Sequence, residues 1–272
     1  MKRLIVVALA TFVFVACSET GNRDQGPNVV GQEIEYSAGD LTMKGYISQN
    51  ENNFSQRPGI LVVHEWWGHD EHARKSADKL AELGYVALAV DMYGDGKQAD
   101  HPEDAMQFSS EVMGNFENAE TRFNAALETL KKQDNVDPDR IGAIGYCFGG
   151  SVILAMAHSG AELDGIAAFH AGLQLPVMPE DSLSSRILIL NGAEDPMVTE
   201  DHVSNLTRAY ESINADYQYI SYEGAQHAYT NPAADSLGQK FDLPLAYDAE
   251  ADSMSWEEMK QFFEDTFSSS GN

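Results

Sequence analysis

The sequence predicts an α/β fold, a mainly parallel central sheet with helices on both faces. Short unbroken apolar runs, such as Gly59-Ile60-Leu61-Val62-Val63 and Tyr85-Val86-Ala87-Leu88-Ala89-Val90, have the composition of strands buried on both sides. Longer amphipathic stretches lie between them. The two kinds of segment alternate along most of the chain, the order that crossover-connected parallel strands require.

The chain of 272 residues opens with Met1-Lys2-Arg3, an apolar run over residues 4–15 and Ala16-Cys17, then turns polar. This is the anatomy of a signal peptide over residues 1–16. The apolar run is shorter than the roughly 20 residues a membrane span needs. A cysteine at the cleavage point resembles the lipobox of bacterial lipoproteins, in which Cys17 would be acylated and anchor the protein to a membrane. An ordinary signal peptide cut near Ala16 would leave Cys17 incidental. Residues 17–28 read as the lipidated cysteine and a flexible tether, and residues 29–272 as one domain. Ser18 after the cysteine is compatible with the outer membrane, giving an expected location on the periplasmic face of the cell envelope.

Within the domain, residues 33–36 and 41–47 form a hairpin around the turn chemistry of residues 37–40. Strand 59–64 leads to helix 71–83, which Gly84 ends, and then to strand 85–90. Residues 102–133 are helical, with a break near Gly114. Strand 140–145 precedes helix 148–158. Strands 164–170 and 186–191, helix 200–213, strand 217–222 and a closing helix over 256–267 complete the order. Neither an internal repeat nor a second domain is visible.

Seventeen Lys and Arg face 43 Asp and Glu, a net charge of −26. Such a surface repels nucleic acid and anionic headgroups and favours solubility. If Cys17 is lipidated, Cys147 is the only free thiol and no intramolecular disulfide can form. A lone cysteine in a chain of enzyme size is a candidate nucleophile.

Its setting sharpens that reading. Ile144-Gly145-Tyr146-Cys147-Phe148-Gly149-Gly150 joins a strand to a helix with small residues two before and two after the cysteine. This is the nucleophile elbow of the α/β-hydrolase fold, with cysteine in place of serine. The turn would lift the thiol above the sheet edge beside a helix N-terminus, which favours the thiolate. A buried structural cysteine is the alternative.

In that fold the acid and the base follow in later strand-end loops. Asp195 occupies the first, with Glu194 as competitor, and His227 the second. Backbone N–H groups of Phe148 and of Trp66, in the loop after strand 59–64, are the candidate oxyanion donors. Trp66, Trp67, Tyr93 and Tyr229 are candidates to line an apolar pocket. His64 and His170 sit at strand ends facing the candidate site, although a core or loop role is the simpler one. His69-Asp70-Glu71-His72 lacks the His-Glu-x-x-His spacing of a zinc helix, and no phosphate-cradling glycine loop occurs, so neither metal nor cofactor is expected.

Together, His64-Glu65-Trp66-Trp67-Gly68, Asp91-Met92-Tyr93-Gly94, Gly145-Tyr146-Cys147-Phe148-Gly149-Gly150, Gly192-Ala193-Glu194-Asp195 and His227-Ala228-Tyr229 resemble the dienelactone hydrolase (carboxymethylenebutenolidase) family. The resemblance spans about residues 33–267. It implies a Cys147–Asp195–His227 triad, a thioacyl-enzyme, and a small ester or lactone substrate. It also implies that Glu65 holds the resting thiol. Family members specific for dienelactone carry pocket arginines where this chain has Asp95-Gly96-Lys97 and Thr230-Asn231-Pro232. Lys97 can supply only a point charge there. A general carboxylesterase or thioesterase acting on uncharged substrates is therefore a rival reading, and a non-catalytic binding protein is another. A monomer is the default expectation.

Overall fold

The computed structural model describes residues 26–269. The expected signal peptide, Cys17 and most of the expected tether lie outside them.

The chain opens with a hairpin, β1 (Val29–Ala38) and β2 (Leu41–Asn50), and continues through β3 (Arg57–Val63), α1 (Glu71–Glu82) and β4 (Val86–Val90). Two helices follow, α2 (Pro102–Met113) and α3 (Phe116–Lys131), then β5 (Val136–Tyr146), α4 (Phe148–His158), β6 (Gly165–Phe169) and β7 (Arg186–Gly192). The chain ends with α5 (Glu200–Ile213), β8 (Tyr217–Tyr222), α6 (Ala234–Phe241) and α7 (Ala249–Ser269). The strands form one eight-stranded sheet in the order β1-β2-β4-β3-β5-β6-β7-β8. β1 and β2 are antiparallel, as are β2 and β4, and every other pair is parallel.

Strand alternation divides the interior into two layers. Leu61, Val63, Leu88 and Val90 point to one face, where α3, α4 and α5 supply Phe123, Val152, Met156 and Tyr210. Ile60, Val62, Ala87 and Ala89 point to the other, against Ala77 and Leu80 of α1 and Met259 and Phe263 of α7. All six parallel strands therefore end at one edge, and the loops carrying the candidate residues gather there.

The differences from expectation have local causes. The hairpin reaches Val29 and Asn50, beyond the segments read as strands in the sequence. β5 starts at Val136, before an irregularity in its pairing with β3 between Pro58 and Gly59. The long helical segment breaks where expected, with Gly114 closing α2 and Asn115 opening α3. α6 was not foreseen: it is short and starts without a side-chain cap. α7 begins earlier than expected because Asp248 Oδ1 accepts from the N–H groups of Glu250 and Ala251.

Phe263 lies fully buried between the rings of Tyr85 and Phe267 and against Gly142. Phe263→Ala should lower the urea midpoint with m unchanged, a loss of about 3–5 kcal/mol. A loss below about 1 kcal/mol would mean that α7 does not seal this face.

Candidate functional site

Cys147 joins β5 to α4 with φ 52° and ψ −112°. A left-handed backbone at a non-glycine residue costs about 1–3 kcal/mol and persists only where its surroundings enforce it. Here the N–H of Cys147 donates to Phe169 O at 3.0 Å, and its carbonyl accepts from Ser151 N at 3.1 Å. A Cβ on Gly145 would meet Gly149 O at 2.3 Å, and one on Gly149 would meet Val63 O at 2.2 Å and His64 O at 2.6 Å. The turn therefore closes only around glycine. The same approach seats the elbow against the end of β3, bringing Phe148 and the loop of Trp66 side by side. The thiol is half-buried at the N-terminus of α4.

The two partner residues converge from later loops. His227 Nδ1 is 2.7 Å from Asp195 Oδ2, and both side chains are almost wholly buried. Asp195 Oδ1 accepts from Met197 N at 2.8 Å, which fixes the carboxylate. Glu194 is exposed to solvent, so Asp195 is the acid that reaches the imidazole. Burial alone would push the His227 pKa down. The negative charges of Cys147 and Asp195 outweigh it and hold the pKa well above the ordinary imidazole value. His227 Nε2 is buried without a hydrogen-bond partner.

Three further loops are tied together around the thiol. His64 is fully buried; its Nδ1 donates to Glu65 O at 2.5 Å while its Nε2 accepts from Met92 N at 3.2 Å. Burial keeps this imidazole neutral by lowering its pKa. Asp91 is also buried, and its carboxylate accepts from the N–H groups of Lys44, Tyr93, Gly94 and Gly96. The hydroxyl of Tyr93 donates to Trp66 O at 2.8 Å. Burial, then the charge at Cys147, raises the Tyr93 pKa and keeps the phenol protonated.

Glu65 is buried and accepts from Asn231 Nδ2 at 2.5 Å. Burial and then the charge of Asp70 push its pKa up to about 7, against the opposing pulls of Asn231 and His227. Asn231, in the stretch where the resemblance expects a pocket arginine, thus stands in the site as a neutral donor. His170 also joins it: its Nε2 lies 2.8 Å from Thr230 Oγ1 and its ring centre 5.4 Å from that of His227. Trp66 is half-buried near Cys147, but two other candidates lie elsewhere. Trp67 is buried in a satellite cluster, stacked on Phe241. Tyr229 is a core residue, not a pocket wall: it is fully buried and its hydroxyl donates to Leu190 O at 3.1 Å. Period and composition do not say toward which side of its strand-end loop an aromatic turns. Lys97 is exposed. Among the described residues no group of three or more His, Cys, Asp or Glu is arranged to hold a metal ion.

The raised pKa of Glu65 links the site to stability. Below its ordinary value of 4.5 the folded and unfolded states both hold the proton. As pH rises toward about 7 the unfolded state releases it first, so folding loses stability across that window. Glu65→Gln has no such proton to lose. Its stability relative to wild type should improve by on the order of 3 kcal/mol between pH 4.5 and 7, measured by urea unfolding. A pH-independent difference would place the Glu65 proton in the ordinary range.

Residues 43–267 match the model of the Dienelactone hydrolase family. The chain is 27% identical over 225 residues to Protein usf of Aquifex pyrophilus, covering 81% of this chain and 94% of that one. The solved structure of m3DLH is 38% identical with a TM-score of 0.83, covering 88% of this chain and 98% of that chain. A dienelactone hydrolase-like promiscuous phosphotriesterase from metagenomic libraries is 32% identical with a TM-score of 0.80, at the same coverage. With that match over most of its length, and with an eight-stranded, mostly parallel sheet between helical layers, the chain belongs to the dienelactone hydrolase family of α/β-hydrolase-fold hydrolases.

Proposed function

We propose that the protein hydrolyses uncharged carboxylic esters or lactones through Cys147, His227 and Asp195. The observation that carries this reading is the buried His227–Asp195 pair at 2.7 Å, whose free Nε2 is left to Cys147.

Asp195 holds the Nδ1 proton and orients the ring, so Nε2 is the atom that exchanges a proton with the thiol. The thiolate attacks the carbonyl carbon, and the carbonyl electron pair moves to oxygen. N–H groups of Phe148 and Trp66 receive that oxyanion. Its collapse expels the alkoxide, which takes the proton from His227 and leaves a thioacyl-enzyme. Water then attacks as His227 removes its proton, and the tetrahedral species releases acid and thiolate. The raised pKa of His227 favours its holding a proton beside Cys147.

The substrate reading follows from the charges facing the thiol. Glu65 and the neutral amide of Asn231 that partners it supply no positive charge to hold a substrate carboxylate. A second substrate class, uncharged phosphotriesters, is supported by the relative named a promiscuous phosphotriesterase and by the same absence of a bonded cation. Export and lipidation at Cys17 would place this hydrolase on the periplasmic face of the envelope, with Cys17→Ser releasing it from membranes.

The full chain should hydrolyse a neutral aryl acetate faster than a dienelactone, and Cys147→Ala should reduce turnover at least about a thousand-fold. Activity that survives Cys147→Ala would overturn the mechanism. Asn231→Arg should raise the ratio of dienelactone to aryl acetate kcat/KM by about ten-fold or more. An unchanged ratio would mean that this position does not see the acyl group.

A further inference from the structure

A cavity of about 470 Å³ opens at the opposite edge of the sheet from Cys147. It lies between the β2–β3 loop and the entrance to β5, lined by Asn50, Asn53, Phe54, Arg57, Asp134 and Glu51 among others. Arg57 is 4% exposed. Its backbone N–H donates to Asn135 O and its Nη1 to Asn50 O, each at 3.0 Å. Its Nε is buried with no partner.

A guanidinium stays charged at neutral pH, and a buried charge is normally paired. The neighbouring carboxylate on β5, Asp137, is already taken by Arg140 Nε at 2.7 Å. In a chain of net charge −26, a covered arginine bonded only to a carbonyl is a place prepared for an anion. The exposed carboxylates of Glu51 and Asp134 on the rim add the opposite requirement, a cationic group close to that anion.

Two further observations select the ligand. Phe54, on the same rim, is 92% exposed. The amino-terminal segment also arrives here: Asn52 Nδ2 donates to Gly26 O at 3.1 Å, Asn28 N to Asn50 Oδ1 at 3.1 Å, and Glu51 N to Asn28 O at 2.9 Å. The nine steps from Cys17 to Gly26 reach at most about 30 Å. A membrane holding Cys17 therefore lies within reach of Phe54.

We propose that this cavity binds the zwitterionic headgroup of a phospholipid of the phosphoethanolamine type. The phosphate sits on Arg57, the amine on Glu51 and Asp134, and Phe54 enters the acyl region. The proximity of the membrane rests on the lipidation of Cys17 proposed above; the headgroup chemistry does not. Soluble glycerophosphoethanolamine should saturate the full chain in a calorimetric titration. Arg57→Gln should weaken that binding at least about ten-fold. Phe54→Ser, on an exposed loop, should leave the soluble titration unchanged. It should remove the hydrogen-exchange protection that vesicles of phosphatidylcholine and phosphatidylethanolamine confer on residues 51–57. No saturable binding, or equal binding by Arg57→Gln, would overturn the site. Inorganic phosphate binding as tightly as the headgroup would overturn the lipid as its source. Membrane retention undiminished in full-chain Cys17→Ser would sink the anchor reading and leave the headgroup titration to stand or fall alone.

Discussion

Between β5 and α4 the chain reverses with so little room that the carbonyls of Val63 and His64 lie where any side chain on Gly149 would have to be. Most of the site depends on this contact. It brings the end of β3 against the elbow, and the loop beyond β3 carries Glu65 and Trp66. His64 then bonds that loop to Met92, and Tyr93 returns a bond to Trp66. Strain at Cys147 is thus held by backbone contacts from β3 and β6, and it aims the thiol without using the thiol's own bonds.

The electrostatics of the site follow from burial more than from counting charges. Asp91 is a buried carboxylate satisfied wholly by peptide N–H groups, which shapes a loop without placing a cation near the thiol. Glu65 is buried with a single amide donor and is left close to neutrality. His227 is buried with two negative neighbours and is driven toward the imidazolium. Glu65 and His227 lie at similar depth, yet one tends to its neutral and the other to its charged form, because one is partnered by an amide and the other by a pair of charges.

Much of this was legible in the sequence. The order of strands and helices follows from hydrophobic period, and the pairing of Asp195 with His227 follows from residue type and loop order. Helices α4 and α5 and strand β8 begin and end where their patterns do. The bond of Asn231 to Glu65 and the placing of His170 against Thr230 and His227 were illegible, because they depend on which way a side chain leaves its loop. The same freedom carried Tyr229 into the core and Trp67 onto Phe241. α6 escaped because a helix of eight residues offers little period, and its inner face is matched to Trp67 rather than to the main core.

The excursion through α6 begins and ends at the same place. His227 pairs with Leu245, Ala246 N donates to His227 O at 3.2 Å, and Asp248 N donates to Tyr229 O at 3.0 Å. Between these staples, Leu237, Phe241 and Leu243 contribute the apolar wall beside Trp67. A segment whose ends are already joined can lengthen at little entropic cost, about 0.6 kcal/mol for each doubling. Evolution can therefore exchange this wall as a cassette while the base keeps its register.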